Sequence, residues 1–168
     1  LIHYEGVFND RRYNATSDIE SQMYTKAADI AGFLRENKDK PFICCEYSHA
    51  MGNSCGGHKR YTELAKHNPR YQGGFIWDYI DQAIEKTNYH NDAFLAYGGD
   101  FDDRPNDDNF CTDGIVFADR TLSPKMTEVK HNYQNIDCVI SETQITITNY
   151  SLFTSTAEFD CKIIMLAN

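Results

Sequence analysis

The sequence predicts an α/β fold in which parallel strands alternate with helices, followed by a segment made only of strands. An uninterrupted apolar run follows Pro41, as in a strand that is buried on both faces. A helical pattern separates this run from a second strand-like segment, and parallel strands need such a crossover. From residue 136 onward the apolar residues alternate with period two, which is typical of antiparallel strands.

The first predicted helix covers Thr25 to Asn37. Apolar residues recur there at helical spacing and charged residues take the opposite face. Gly32 weakens this helix without preventing it. Before the helix we expect the tail of a strand from Leu1 to Gly6 and a polar loop from Val7 to Ser21.

A strand, a helix and a second strand follow. Pro41 can begin an element but does not fit inside one, so the strand starts directly after it. His58 to His67 has the spacing of an amphipathic helix, and Asn68-Pro69 ends that helix. Tyr71 to Asp81, rich in aromatic and branched residues, supplies the next strand. This order predicts a βαβ unit.

The second half of the chain begins with a long loop, Asn88 to Asp119, rich in Gly, Asp and Asn. Loops of this length in compact domains are usually functional. Thr121 to Asn135 predicts a helix. Ile136 to Ile147 and Phe159 to Leu166 predict strands, with a turn at residues 141–143.

Glu46 is the first ionisable residue after the apolar run, at the point where the predicted strand meets a polar loop. Barrels of alternating strands and helices hold their catalytic groups at this end of their strands. On this feature alone Glu46 is either a strand-end carboxylate with a structural partner or a catalytic group.

Three longer motifs separate these alternatives: CEYSHAMGNSCGG, YQGGFIWDYIDQ and YGGDFDDRPNDDNFCTDGIVFADR. Together they resemble the bacterial β-galactosidases of glycoside hydrolase family 2, over about Tyr4 to about Phe153. The resemblance implies the C-terminal part of a TIM (β/α)8 barrel at residues 1–135 and the first strands of a β-sandwich domain at residues 136–168. The implied activity is the hydrolysis of terminal non-reducing β-D-galactose residues, as in lactose, with retention of configuration.

The resemblance also implies roles for four residues. Glu46 is the catalytic nucleophile and contacts the substrate. Tyr24, which follows Met23, donates a hydrogen bond that keeps this nucleophile anionic. His49 binds galactosyl hydroxyls, and the indole of Trp77 forms a platform for the galactose ring. Taken alone, Tyr24 and Trp77 could equally be packing residues and His49 an ordinary loop histidine.

Three residues of the long loop have implied ligands. Family members bind a second Mg²⁺ at the position of Asn106. They bind Na⁺ through the backbone carbonyl of Phe110 and the side chain at position 113, and Phe110 and Asp113 are also expected to contact the substrate. This chain departs from its relatives because Asp113 stands where they have Asn.

A retaining glycosidase needs a second carboxyl group about 5 Å from the nucleophile. In relatives this acid/base lies in an Asn-Glu pair, and the 168 residues contain no such dipeptide. A complete eight-stranded barrel usually takes about 250 residues. We therefore expect the chain to be part of a longer protein, with the acid/base and the main Mg²⁺ ligands upstream, and we expect the isolated chain to be inactive.

Two other classes of function stay open on the sequence. The same barrel serves β-glucuronidases and β-mannosidases, although an acidic sugar would need a basic partner near the site. The chain could also be a non-catalytic segment that binds galactose or complements another chain.

Composition excludes some partners. The net charge is −9 and no cluster of Lys and Arg could neutralise phosphates, so no nucleic-acid partner is expected. No apolar run approaches the roughly 18 residues of a membrane span. The six cysteines lie in or beside apolar runs and lack paired CxxC spacing, which favours buried free thiols in a reducing cytoplasm over disulfides or a zinc site. The parent protein is expected to be oligomeric.

Overall fold

The computed structural model describes residues 1–164. The chain divides into two compact units, residues 1–132 and the residues from 133 on. In the first unit strands and helices alternate in the order β1 (Glu20–Met23), α1 (Ala27–Glu36), β2 (Phe42–Tyr47), α2 (Lys59–His67) and β3 (Tyr71–Ile76). These three strands form a parallel sheet in the order β1-β2-β3. The predicted βαβ alternation is confirmed, and within the described residues the sheet is open rather than a closed barrel.

Both helices pack apolar side chains against this sheet, which are fully buried in α1 and partly buried in α2. Ile30 and Leu34 of α1 are fully buried and pack with Phe42 and Tyr47 of β2 and with Tyr71 of β3. The helical spacing of the apolar residues in α1 puts them on one face, and that face is the one covered by the sheet.

Gly74 allows β3 to lie close to β2. A Cβ atom at this position would lie 2.6 Å from the carbonyl oxygen of Cys44. This oxygen belongs to the backbone, so the clash could be relieved only by moving the strands apart. The pairing of Cys44 with Gly74 therefore depends on glycine.

After β3 the described residues form two antiparallel hairpins, one α-helix and a short 3₁₀ helix, Thr156–Glu158. The first hairpin pairs β4 (Ile84–Thr87) with β5 (Ala93–Ala96), and α3 covers Lys125–Asn132. In the second unit β6 (Ile136–Ile140) pairs with β7 (Ile145–Asn149). The amide of Ser141 donates to the carbonyl of Gln144 at 2.8 Å, so the predicted turn between these strands is confirmed.

The prediction of a loop from Val7 to Ser21 is wrong, as is the prediction of a strand tail from Leu1 to Gly6. Two short 3₁₀ helices, Glu5–Asn9 and Arg11–Thr16, precede β1. The sequence of β1 lacks the alternating apolar residues of a typical strand. Its buried residue Glu20 is charged, and the guanidinium of Arg11 compensates this charge with two hydrogen bonds to the carboxylate. Pairing with β2, not local propensity, makes this segment a strand.

Other boundaries also differ from the predictions. The long loop predicted at 88–119 contains β5, the strand predicted to reach Asp81 ends at Ile76, and the helix predicted at 121–135 covers only 125–132. The strand predicted at 159–166 is wrong for residues 159–164, which form no strand. Residues 165 and 166 lie outside the described residues, and the β-sandwich domain stays a prediction.

All six cysteines are free thiols. Cys44, Cys45 and Cys55 are buried as predicted, whereas Cys138 and Cys161 are exposed. The prediction of buried thiols is wrong for these two, because the apolar segments that contain them are not covered by the described part of the chain.

The helices of this protein are short. The longest within residues 1–164 is α1, with 10 residues. None of the helices in this range has the length and apolar composition needed to cross a bilayer.

Candidate active site

Most of the predicted site residues meet at the carboxyl ends of the three parallel strands. Met23 at the end of β1 pairs with Glu46 in β2, and Tyr47 pairs with Ile76 at the end of β3. Tyr24 and Trp77 directly follow β1 and β3. Parallel strands bring these positions to one edge of the sheet, which is the edge where barrels of this class hold their chemistry.

Tyr24 and Glu46 form the centre of the site. The Tyr24 amide donates to the Glu46 carbonyl at 2.8 Å, and the left-handed backbone of Tyr24, with φ of 52°, turns the chain at this point. Although 40% of Tyr24 stays exposed, burial raises the pKa of its phenol, and a hydrogen bond to the Glu46 side chain and the carboxylate charges of Glu46 and Asp113 raise it further. The phenol therefore stays protonated and donates to Glu46.

His49 lies on the loop that follows β2, between two aromatic rings. Its ring centroid is 6.0 Å from that of Tyr24 and 5.9 Å from that of Phe110. The amide of Met51 donates to His49 Nδ1 at 3.3 Å, so in the neutral imidazole the proton is on Nε2. His49 thus presents an N–H donor.

Trp77 is joined to Asp113, 36 residues later in the chain. The indole Nε1–H donates to Asp113 Oδ2 at 2.8 Å. Asp113 is 1% exposed, and its other carboxylate oxygen, Oδ1, is buried and has no hydrogen-bond partner within the described residues. Leaving a buried acceptor unpaired costs about 1–3 kcal/mol. A hard cation or a sugar hydroxyl at Oδ1 would satisfy this oxygen.

The backbone holds Asp113 in place. The amide of Asp78 donates to the Asp113 carbonyl at 2.7 Å, and the amide of Ile115 donates to the Asp78 carbonyl at 3.0 Å. The amide of Gly114 donates to Asp81 Oδ1 at 2.7 Å. The end of the long loop therefore runs alongside the segment that follows β3.

The other two predicted ligands of this loop differ in position. Phe110 is half-exposed and contacts the ring of His49, so it belongs to the same site. Asn106 is exposed, and its side chain donates to the Asp103 carbonyl at 2.7 Å and accepts from the Asp108 amide at 3.1 Å. Its amide thus shapes its own turn, and its role as a Mg²⁺ ligand stays a prediction. Within residues 1–164 no group of three or more His, Cys, Asp or Glu side chains could hold a metal.

His58 is a buried residue of this region that sequence reasoning missed. Its Nδ1 lies 3.1 Å from the hydroxyl of Ser48, and its ring packs edge-on against Tyr47 at 5.0 Å. Burial lowers the pKa of His58, and Glu128 partly offsets this effect. The sequence placed His58 at the polar start of a helix, and no local signal distinguishes a buried histidine there from an exposed one.

The site combines groups of distinct chemistry on one edge of the sheet. Glu46 offers a carboxylate with a phenol donor beside it, His49 offers an N–H donor, and Trp77 offers a half-buried aromatic surface. Asp113 adds a buried acceptor. Such a set suits a neutral ligand with many hydroxyls, whose C–H faces stack on an indole.

Comparison with known proteins confirms the resemblance. Residues 1–138 match the family model described as glycosyl hydrolases family 2, TIM barrel domain. A β-galactosidase of Halalkalibacterium halodurans is 54% identical over 165 residues, which are 98% of this chain. The β-galactosidase BgaC of Bifidobacterium adolescentis is 47% identical over 174 aligned residues, with 99% of this chain covered. A β-galactosidase large subunit of Latilactobacillus sakei is 53% identical over 135 residues, or 79% of this chain.

The chain is much shorter than these relatives. It spans 16% of the first two and 22% of the large subunit.

Proposed function

The chain belongs to glycosyl hydrolase family 2, whose TIM barrel domain it matches, and on this premise we propose that it carries the nucleophile half of the active site of a retaining β-galactosidase. The substrate would be a terminal non-reducing β-D-galactoside such as lactose. The names of the relatives support galactose as the sugar. The contact that carries the proposal is the hydrogen bond between Tyr24 and the Glu46 side chain, because a nucleophilic carboxylate needs a donor that keeps it anionic and oriented.

In the proposed reaction a carboxylate oxygen of Glu46 attacks the anomeric carbon. The bond from that carbon to the leaving oxygen breaks, and an acid protonates this oxygen. The result is a galactosyl ester on Glu46. Water, deprotonated by the same group, then attacks the anomeric carbon and releases galactose and the free carboxylate, so two inversions retain the configuration. The acid/base is proposed to lie outside this chain.

The remaining residues hold the sugar. His49 would donate its Nε2–H to a galactosyl hydroxyl, consistent with the Met51 amide at Nδ1. Trp77 would stack on the apolar face of the ring, and the ring of Phe110, which contacts His49, would border the site. Tyr24 stays a neutral donor because the pKa of its phenol is raised.

The side chain of Asp113 and the backbone carbonyl of Phe110 would hold Na⁺, whose positive charge would balance the Asp113 carboxylate. The unpartnered Oδ1 of Asp113 supports this proposal, since a buried anionic oxygen suits a hard cation. Mg²⁺ at Asn106 is a proposal that rests on family resemblance, and the main Mg²⁺ ligands would lie upstream of Leu1.

Two alternatives are distinguished by experiment. Hydrolysis of nitrophenyl β-glucuronide or β-mannoside in preference to the galactoside would assign another activity of the family. If the chain is instead a non-catalytic segment that binds galactose or complements another chain, a full-length protein that contains it should bind galactose but hydrolyse no galactoside. We also propose that the parent is a cytoplasmic oligomer, and the large-subunit name of one relative supports assembly from more than one chain.

Covalent labelling tests the proposed nucleophile. A full-length protein that contains this chain should accumulate an ester on Glu46 when treated with a 2-deoxy-2-fluoro-galactoside bearing a good leaving group, because fluorine slows breakdown of the intermediate. Peptide mapping identifies the residue. Glu63 on α2, which contacts Lys66, is the matched control, so Glu63→Gln should label and turn over normally while Glu46→Gln does neither. A label on Glu63 or Glu85 would refute the assignment.

The isolated 168-residue chain should show no galactosidase activity. General acid catalysis alone is worth about 10²–10⁴ in rate, and the proposed acid lies elsewhere. Assay of the purified chain with nitrophenyl β-galactoside, with and without an upstream fragment, measures this directly.

A further inference from the structure

The loop between β2 and α2 carries His49 and is held from a distant helix. Lys125, at the start of α3, donates from Nζ to the carbonyl oxygen of Ala50 at 2.5 Å and to that of Gly52 at 3.2 Å. Ala50 directly follows His49 and is completely buried. A charged donor shared by two carbonyls forms stronger hydrogen bonds than a neutral one, so this contact anchors the loop.

Ala50 is also held by a hydrogen bond from its backbone amide. The amide of Ala50 donates to the carbonyl of Trp77 at 2.7 Å, so both polar groups of the Ala50 backbone are bonded. The side chain of Ala50 packs with Val129 of α3 and with Ile115 and Val116 of the segment that follows Asp113. Lys125 therefore holds the carbonyl of Ala50, the residue whose amide bonds to Trp77 and whose chain neighbour is His49.

We propose that Lys125 is a positioning residue that holds His49 at the distance from Trp77 needed for sugar binding. This inference rests on the proposed function, because the ligand of His49 is taken to be a galactosyl hydroxyl. Lys125 itself contacts backbone carbonyls and acts only through the loop. Lys125 is the first residue of α3.

Five variants of a full-length protein that contains this chain test the role. Lys125→Met keeps the length of the side chain and removes the ammonium, and Lys125→Arg restores a charged donor. Lys130→Met removes an exposed lysine from the other end of α3 and is the matched control. His49→Ala, alone and combined with Lys125→Met, shows whether Lys125 acts through His49.

Lys125→Met should raise KM for nitrophenyl β-galactoside, and the inhibition constant of isopropyl thio-β-galactoside, about three- to tenfold. This is less than the roughly 10- to 150-fold expected for a directly lost hydrogen bond to a charged group, because Lys125 acts on the sugar only through the loop. The effect on kcat should be smaller. In Lys125→Arg the KM should return most of the way to the parental value, and in Lys130→Met it should equal that value. In a protein that already carries His49→Ala, adding Lys125→Met should raise KM no further. Unchanged KM in Lys125→Met, or an equal loss in the absence of His49, would overturn the proposal.

Hydrogen exchange separates failure of this inference from failure of the proposed function. Peptides covering residues 48–55 should exchange faster in Lys125→Met than in Lys130→Met, whatever the substrate of the protein. A parent that neither cleaves nor binds galactosides would refute the proposed function, whereas equal exchange in the two variants would refute the anchor.

Discussion

Asp113 accepts the indole N–H of Trp77 at 2.8 Å, while its second carboxylate oxygen is buried without a hydrogen-bond partner among the described residues. The two residues are 36 positions apart. This arrangement divides the carboxylate into one oxygen that orients the indole and one that is available to a ligand. An amide at position 113 could keep the indole bond but would then direct its NH₂ group, a donor, toward the ligand.

Asp113→Asn should raise the sodium concentration needed for half-maximal activity. The amide removes a negative charge from the proposed cation site and offers one acceptor oxygen for the cation and the indole N–H, where the carboxylate offers two. The rate at saturating sodium should stay within about tenfold of the parent, which corresponds to about 1.4 kcal/mol of transition-state stabilisation. Titrating activity with sodium measures the half-maximal concentration and the rate at saturation. Titrating the midpoint of thermal unfolding with sodium measures binding of the ion independently of activity.

Asp107→Asn, in the exposed part of the same loop, is the control for Asp113→Asn and should leave the sodium dependence unchanged. If Asp113→Asn instead activates at lower sodium than the parent, the charge of Asp113 is not at the cation. A raised KM at all sodium concentrations would then identify Asp113 as a direct sugar contact.

Tyr24→Phe should lower kcat about a hundredfold, the scale seen when one preorganised hydrogen-bond donor is removed from an active site. Because the pKa of Tyr24 is raised above the ordinary value of about 10 for a phenol, its hydroxyl should stay protonated at that pH. Ionisation of Tyr24 should therefore not contribute to the pH–rate profile below about pH 10. Any loss of activity on the alkaline side of this range should have the same midpoint in the parent and in Tyr24→Phe.

The exposed Tyr89, whose side chain is 90% accessible, provides the control Tyr89→Phe, with parental kinetics expected. Retention of more than half of the activity by Tyr24→Phe would show that the phenol does not assist Glu46.

His58 should make the full-length protein less stable in mild acid. Burial lowers the pKa of His58 in the folded state, whereas in the unfolded chain the pKa is about 6.5. As pH falls below about 6.5 the unfolded chain binds a proton that the folded chain does not, so stability present above this pH is lost at up to about 1.4 kcal/mol per pH unit. Thermal unfolding at a series of pH values measures the loss.

His58→Phe should remove this part of the pH dependence, although it also loses the Ser48 bond and lowers stability at neutral pH. His131→Phe is the control, since His131 is exposed on α3, and it should keep the parental slope between pH values of about 7 and 5.5. The same acid-induced loss in His58→Phe as in the parent would assign the effect to other groups.

Gly114→Ala should disrupt the site. A Cβ atom at this position would lie 2.2 Å from the amide nitrogen of Asp81 and 2.5 Å from the carbonyl oxygen of Val116. Both are backbone atoms, so the segment that holds Asp113 would have to move away, at a cost of about 1–3 kcal/mol or more. Activity and the midpoint of unfolding of the full-length protein should both fall.

Gly56→Ala is the matched change, because a Cβ atom at Gly56 would have no heavy atom within 4 Å. It should leave stability within about 1 kcal/mol of the parent. Equal effects of the two substitutions would show that the contact at Gly114 does not constrain the site.

Local patterns in the sequence were enough to predict several elements and the family. The apolar run after Pro41 predicted β2 with Glu46 near its end, and helical spacing predicted α1 and α2. The motifs around Glu46, Trp77 and the long loop identified the family. These predictions succeeded because strand and helix periods, and long motifs, are properties of neighbouring residues.

Which polar side chains are buried, and which groups they form hydrogen bonds with, depends on contacts between distant parts of the chain. Glu20 lies in a strand because β2 pairs with it and Arg11 neutralises it. Lys125 reaches Ala50 across 75 residues, and Asp113 meets Trp77 across 36. Such contacts depend on the packing of the whole sheet, and the exposed and buried forms of a Glu, Lys or Asp have the same local sequence pattern. The physical reason is that burial of a charge is favourable only when a distant partner compensates its desolvation.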